Sequence, residues 1–242
     1  MSDRQTPAGE PDRLAAIASL GEPTRRSLYD HLVAAGDWVS RDQAADAVGL
    51  ARGTAAHHLD RLAADGLVEV DYRRLSGRTG PGAGRPAKLY RRARRNFQVS
   101  LPPRDYELAG NLLAEAADRS KTEGINITSA LAEAARAEGQ RLAEEVHTRI
   151  RGRPAAQGQA GRRRLVLEVL EEHGYEPRPS DGGTVVLENC PFHRLARQHT
   201  QLICGMNLGL LAAAIEGVGE TGLDARLEPE DGRCCVTLRP AR

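Results

Sequence analysis

The sequence predicts an α+β protein: a helical unit with a basic β-hairpin, two long helices, and a second unit of mixed helix and strand. Three observations predict it. Helical periodicity gives way to period-two alternation between residues 48 and 91. Two long helical stretches follow between 106 and 150, and after residue 161 helix and strand signals mix again. At 242 residues the chain exceeds the size usual for one domain, about 100–150 residues. Apolar residues make up 40% and aromatics only 3%, so Leu, Ala, Val and Ile must build the cores. There is no run of 18 apolar residues and no hydrophobic N-terminal leader, which predicts a cytoplasmic protein with no membrane contact. In that compartment the four cysteines favour thiols or metal ligands over disulfides.

In chain order, Asp12–Leu20 and Pro23–Ala35 have helical periodicity, with Leu14, Ile17 and Leu20, then Leu28, Leu32 and Ala35, expected to face inward. Ser40 followed by Gln43 is a capping-box signature for a short helix running to Val48. In the run Val48–Leu67, Ala55, Leu59 and Leu62 form an apolar stripe, and Gly66 stands where a left-handed helix end is wanted. Val68–Tyr72 and Ala87–Arg91 alternate with period two around an Arg/Gly-rich tip, a hairpin in the position of a wing. Residues 1–95 therefore predict a winged helix-turn-helix unit, its last helix placed for the major groove of double-stranded DNA.

Charge supports that placement. From Arg73 to Arg95 the chain carries nine basic side chains and no acidic one, although the whole-chain net charge is only +1. Residues 1–95 hold 16 basic and 12 acidic groups, net +4, which leaves net −3 for the rest. A segregated basic face neutralises phosphates and releases counterions. Arg52, Thr54, Ala56 and His57 are expected near base edges, and Arg61 near phosphate. His58 has an equal claim to packing on the preceding helix. Arg73, Arg74, Arg78, Arg85 and Lys88 are expected to supply phosphate or minor-groove contacts from the wing.

Beyond Leu101-Pro-Pro103, Tyr106–Ser120 and Thr128–Ile150 read as long helices, the second with Leu131, Ala134, Leu142, Val146 and Ile150 on one face. Paired half-sites need two recognition helices, so residues 96–151 are expected to dimerise the chain into a homodimer, although an intramolecular bundle gives the same pattern. Gly152–Gly161 reads as a flexible connection. Residues 162–242 are expected to form an α+β sensor domain. Its elements are a helix over Arg162–His173, a hairpin over Glu176–Pro179 and Thr184–Glu188, helices over His193–His199 and Leu202–Glu216, and a closing hairpin over Leu223–Glu228 and Cys234–Leu238.

All four cysteines fall in the last 53 residues. Cys190 sits where a strand gives way to a helix, whose free amides would stabilise a thiolate and lower its pKa. His193, three residues on, could share its face. Cys204 lies near the start of the next helix, and only one of Cys234 and Cys235 should face a shared site, because strand neighbours point oppositely. Inert packed thiols are the plainer reading. The spacing is not that of a zinc finger or ferredoxin, so any site must be assembled by the fold.

The segments Ala16–Leu28, Val48–Leu67 and Gly84-Arg-Pro-Ala-Lys-Leu-Tyr90 resemble the ArsR/MarR-like winged-helix regulators. With Cys190-Pro-Phe192, Cys204 and the Cys234-Cys235 pair, the chain resembles the SufR family of iron–sulfur-dependent repressors. It differs in having a Cys-Cys pair and Gly-Met-Asn after Cys204. The resemblance implies a non-enzymatic homodimeric repressor holding an iron–sulfur cluster on Cys190, Cys204 and one of Cys234 and Cys235. For the third place, Cys235 shares its face with Arg233 and Thr237 and is the more accessible, whereas a site buried between strand and helix would favour Cys234. His193, a residue of the partner chain or a small thiol could be the fourth ligand. Zinc or an organic effector in the same domain is the alternative. A cysteine-dependent enzyme pairing Cys190 with His193 or His199 is a third reading.

Overall fold

Small and branched apolar residues at helical spacing, with capping side chains at the breaks, set the first unit. The structure, a computed structural model, describes residues 13–73 and 86–241. It divides into two compact units, one ending at Val99 and the other beginning at Ser100.

In the first unit α1 (Arg13–Ser19) leads to α2 (Pro23–Ala35), which the Glu22 carboxylate caps by accepting the amides of Thr24 at 3.0 Å and Arg25 at 2.7 Å. Those two amides, Thr24 first, hold the Glu22 pKa down at about 2. β1 (Val39–Ser40) runs into α3 (Arg41–Val48), where Ser40 and Gln43 form the expected reciprocal capping box. α4 (Arg52–Ala64) follows and buries Ala55, Leu59 and Leu62 as expected. Its last turn closes through Gly66 at φ +74°, with the Leu67 amide donating to the Leu62 carbonyl. β2 (Val68–Arg73) and β3 (Ala87–Arg92) pair antiparallel with Val70 opposite Tyr90, and β1 joins the far edge of β3. Leu28, Leu32, Leu59, Leu62 and Tyr90 are fully buried at the centre.

Three inward assignments change. α1 buries Ala16 and Ser19, while Leu14 and Ile17 lie on its exposed side, and Ala35 is exposed at the end of α2. In a seven-residue helix that packs closely, the small residues make the contact, and periodicity alone does not separate the Ala face from the Leu face.

The second unit begins with α5 (Tyr106–Glu123), capped by Asp105, and α6 (Ile127–Gly152), capped by Asn126. A 3-10 turn, Pro154–Ala156, leads to α7 (Gln159–Glu172). β4 (Pro177–Pro179), β5 (Val185–Leu187), α8 (His193–Gln198), α9 (Thr200–Val218), β6 (Leu223–Leu227) and β7 (Val236–Pro240) complete it. The sheet is antiparallel in the order β4-β5-β7-β6.

α9 is the spine of this unit. Its middle presses on α6 so closely that a Cβ on Gly139 would stand 2.2 Å from the Leu210 carbonyl oxygen. A Cβ on Gly217 would meet the Ala143 methyl at 2.7 Å. Leu131, Ala134, Leu142, Val146 and Ile150 of α6, expected to pair two chains, are buried instead in the unit's own core with α5 and α9. Residues 100–151 and the cysteine-bearing segment thus share one core rather than forming separate domains. By length and composition α9 is the one helix among the described residues able to cross a membrane, with mean hydropathy 1.5, but 56% of that stretch is buried as a core helix is.

The segment 152–161, expected to be flexible, contains a 3-10 turn with one close contact. Ala156 is fully buried and a Cβ on Gly161 would lie 2.4 Å from the Ala156 Cα, whereas Gly152 and Gly158 are exposed and meet nothing within 4 Å. At Gly161 the missing side chain serves close backbone approach, which composition does not distinguish from looseness.

The glycine contact is testable by urea denaturation. Gly139→Ala is expected to cost about 1–3 kcal/mol, since backbone must move to admit the methyl. Gly110→Ala, in the exposed part of α5 where no atom lies within 4 Å, is expected to gain up to about 1 kcal/mol.

Candidate nucleic-acid interface and cysteine cleft

The edge of α4 that the core leaves free carries the polar residues the sequence assigned to DNA. Arg52 opens the helix with its side chain 70% exposed, 2.7 Å from the Asp42 carboxylate of α3. Thr54 and His57 are exposed and Ala56 is half-buried. Arg61 is exposed and paired with Asp65 at 3.1 Å, one helical turn on. His58 faces inward, its Nδ1 3.5 Å from the Glu22 carboxylate, so of its two readings the packing one holds.

The hairpin is more self-engaged than its charge suggests. Lys88, expected on phosphate, is drawn back to the Asp60 carboxylate of α4 at 2.6 Å, and the buried Tyr90 hydroxyl donates to the same oxygen at 2.6 Å. Burial works against the Asp60 charge, yet the bonds from Lys88 and Tyr90 keep its pKa below the ordinary value. Burial first, and the bond to Asp60 second, push the Tyr90 phenol up. This clip between α4 and β3 was not legible in the sequence, since its partners are about 30 residues apart. Arg73 is bonded to Asp71 at 2.6 Å and lies over the Trp38 ring at 5.0 Å, with Arg91 over the same ring at 4.5 Å. Arg74, Arg78 and Arg85, and the tip 79–84, lie outside the described residues.

A helix-turn-helix domain family model matches residues 20–71, the stretch from the end of α1 into β2. The first unit is a winged helix-turn-helix domain of the kind DNA-binding transcriptional regulators carry. No curated protein and no solved structure matches the chain.

The second unit gathers its cysteines at one end. Cys190 lies in the loop between β5 and α8, Cys204 in the second turn of α9, and Cys234 and Cys235 just before β7 rather than on it. Backbone bonds still hold the pair to the sheet edge: the Cys234 amide donates to the Leu187 carbonyl, and the Cys235 carbonyl accepts the Glu228 amide, both at 2.8 Å. Cys190, Cys204, Cys235 and His193 line one solvent-open cleft of ≈ 720 Å³, together with Arg197, Thr200 and the 229–233 turn. Cys234 is more deeply buried and does not line the cleft. Asn207, fully buried on α9, donates its amide to Cys234 Sγ at 3.3 Å and accepts the Tyr175 hydroxyl at 2.6 Å. Of the two competing cysteines, Cys235 therefore faces the cleft and Cys234 the core.

The thiols also touch one another. Cys190 bonds to Cys234, and Cys235 contacts both Cys234 and Cys204. The lowered Cys190 pKa expected from a helix start is overturned. Its bond to Cys234, then burial, push the thiol well up, although the Phe192 amide pulls the other way. For Cys234 the bond from Cys190 favours the thiolate, but the Cys235 contact and burial outweigh it and raise the pKa to about 12. Burial raises Cys204. Of the two histidines considered as partners of Cys190, His193 lines the cleft with it, while His199 is exposed and outside the cleft lining. Among the described residues no three His, Cys, Asp or Glu side chains are gathered closely enough to hold one metal ion.

Two outcomes check these faces. Arg52→Ala is expected to narrow the gap in affinity between a selected operator and random duplex by about 1–3 kcal/mol, read by fluorescence anisotropy; an unchanged gap removes the start of α4 from base readout. Under limiting iodoacetamide, mass spectrometry should find Cys235 alkylated before Cys234, and Asn207→Leu should bring the two rates together.

Proposed function

We propose that this protein is a homodimeric transcriptional repressor that binds double-stranded DNA through its winged helix-turn-helix unit and senses iron–sulfur or redox status through cysteines of its second unit. The observation that carries the sensor reading is the convergence of Cys190, Cys204 and Cys235, with His193, on one solvent-open cleft from three separate chain segments. Thiolates favour iron–sulfur clusters or zinc over hard cations. What supports a thiolate-bound group here is the series of contacts that runs from Cys190 through Cys234 and Cys235 to Cys204.

Cys190, Cys204 and Cys235 would hold the group, and His193 stands on the same wall as a fourth ligand. Bound there, a cluster would supply redox and assembly-state sensitivity. The chain's own contribution is to shed thiol protons on binding, which burial makes costly at Cys190 and Cys204 in the free form and which thiolate ligation offsets. The cleft wall carries Arg197 and Arg233, the latter paired with Glu230, and also Asp231, so charge of both signs stands near the thiolates so formed. Cys234, held by Asn207, remains in the core.

Anaerobic purification with iron, sulfide and zinc analysis tests the reading. The protein should be brown, with iron and sulfide in comparable amounts. Cys190→Ser, Cys204→Ser and Cys235→Ser should each lose most of the iron and the repression, while Cys234→Ser keeps at least half of both. A colourless protein containing zinc would instead mark a structural metal, and Cys190→Ser with full cofactor and regulation would leave the thiols as packing residues.

A further inference from the structure

The loop that carries Cys190 is bonded to the chain segment that enters the second unit from the DNA-binding unit. The first unit ends at Val99, and residues from Ser100 lead to the cap of α5 at Asp105. Within the second unit that segment is clamped on both sides of Cys190. The buried Asn189 donates its amide to the Pro103 carbonyl at 2.9 Å and to the Gly174 carbonyl at 2.6 Å, and its oxygen accepts the Arg104 guanidinium. Arg104 also donates to the Cys190 carbonyl at 2.9 Å, and the Asp105 amide donates to the Pro191 carbonyl at 3.1 Å. Gly174, at φ +84°, lets Pro103 approach so closely that a Cβ would stand 3.0 Å from the proline ring.

We propose that Arg104 and Asn189 are positioning residues that transmit the state of Cys190 to residues 103–105, and so to the chain leading back to the winged helix. The inference rests on the sensor reading of the cleft, and it names the route by which that site reaches the DNA-binding unit. The geometry leaves little slack. Residues 189, 190 and 191 each hold one of residues 103–105 by a hydrogen bond, so a shift of the Cys190 backbone by a fraction of an ångström must either move that segment or break these bonds. The Asp105 carboxylate in turn caps α5 through the Leu108 amide at 2.8 Å, which makes a moved segment also a moved helix start. A contiguous set of hydrogen-bonded groups is one physical route by which two sites can be coupled.

A double-mutant cycle on the full-length protein, purified anaerobically, tests the route. Affinity for a duplex selected with the wild-type protein is measured for wild type, Cys190→Ser, Arg104→Met and the double variant. Cys190→Ser should change affinity at least fivefold, and in the Arg104→Met background the change should fall below twofold. Arg104→Met should keep wild-type iron and sulfide, because Arg104 acts downstream of the site. As a second measurement, hydrogen exchange of a peptide spanning residues 100–106 should quicken at least tenfold in both Cys190→Ser and Asn189→Ser. An additive cycle, no effect of Cys190→Ser on DNA affinity, unchanged exchange at 100–106, or loss of iron in Arg104→Met would each overturn the proposal. Iron and sulfide assays on the same samples keep the two readings apart. A cycle that collapses in an iron-free protein retains the route and removes the cluster.

Discussion

The close approach of α6 and α9 at Gly139 and Gly217 is the constraint on which the second unit depends. Helix axes that stand this near leave room for backbone against backbone but not for a methyl group between them. That contact fixes α9, and α9 in turn positions the cysteine end. The sheet packs on it, Cys204 projects from its second turn, and Asn207 one turn later reaches Cys234. Close packing without voids transmits such constraints stiffly, so a site built from a helix, a loop and a strand end can keep its geometry.

At the cysteine end a single buried amide divides two adjacent thiols between two environments. Asn207 has both its groups satisfied, by Tyr175 on one side and Cys234 on the other, with all three side chains out of water. An unpaired buried amide is expensive, and this requirement favours keeping Cys234 on the core side. Its neighbour Cys235 lines the cleft and stays in contact with Cys234. Burial and contacts between thiols favour the protonated forms of Cys190, Cys204 and Cys234, and a partner that binds thiolates can offset the cost of ionising them.

The winged-helix unit has the opposite character, with charge at its surface tied down locally. Asp60 on α4 collects Lys88 and Tyr90 from β3, and Trp38 receives the guanidinium planes of Arg73 and Arg91. The Asp60 contacts join α4 and β3 into one piece, and the Trp38 contacts tie the segment before β1 to the hairpin. Exposed ion pairs of this kind contribute little to stability and exchange readily for other anions. The basic count of the hairpin therefore overstates the charge standing free in the unbound protein.

The sequence by itself determined the element order. The Ser40–Gln43 capping box, the Gly66 turn, the Ala55/Leu59/Leu62 stripe and the alternation on either side of the hairpin all appear where local patterning put them, because caps, turns and amphipathic faces are short-range properties. The basic block and the clustering of cysteines were equally plain, being matters of composition. Tertiary structure decided the rest. Whether the α6 stripe faces another chain or its own core, whether 152–161 is loose or packed, and which of Cys234 and Cys235 meets the cleft depend on what lies opposite, and periodicity carries no record of that. The Cys190 pKa turned the same way, since a helix start argues for a thiolate while a neighbouring thiol and burial argue against it more strongly. The clips of Asp60 with Tyr90 and of Arg104 with Cys190 join residues 30 and 86 positions apart, and only the folded chain brings such partners together.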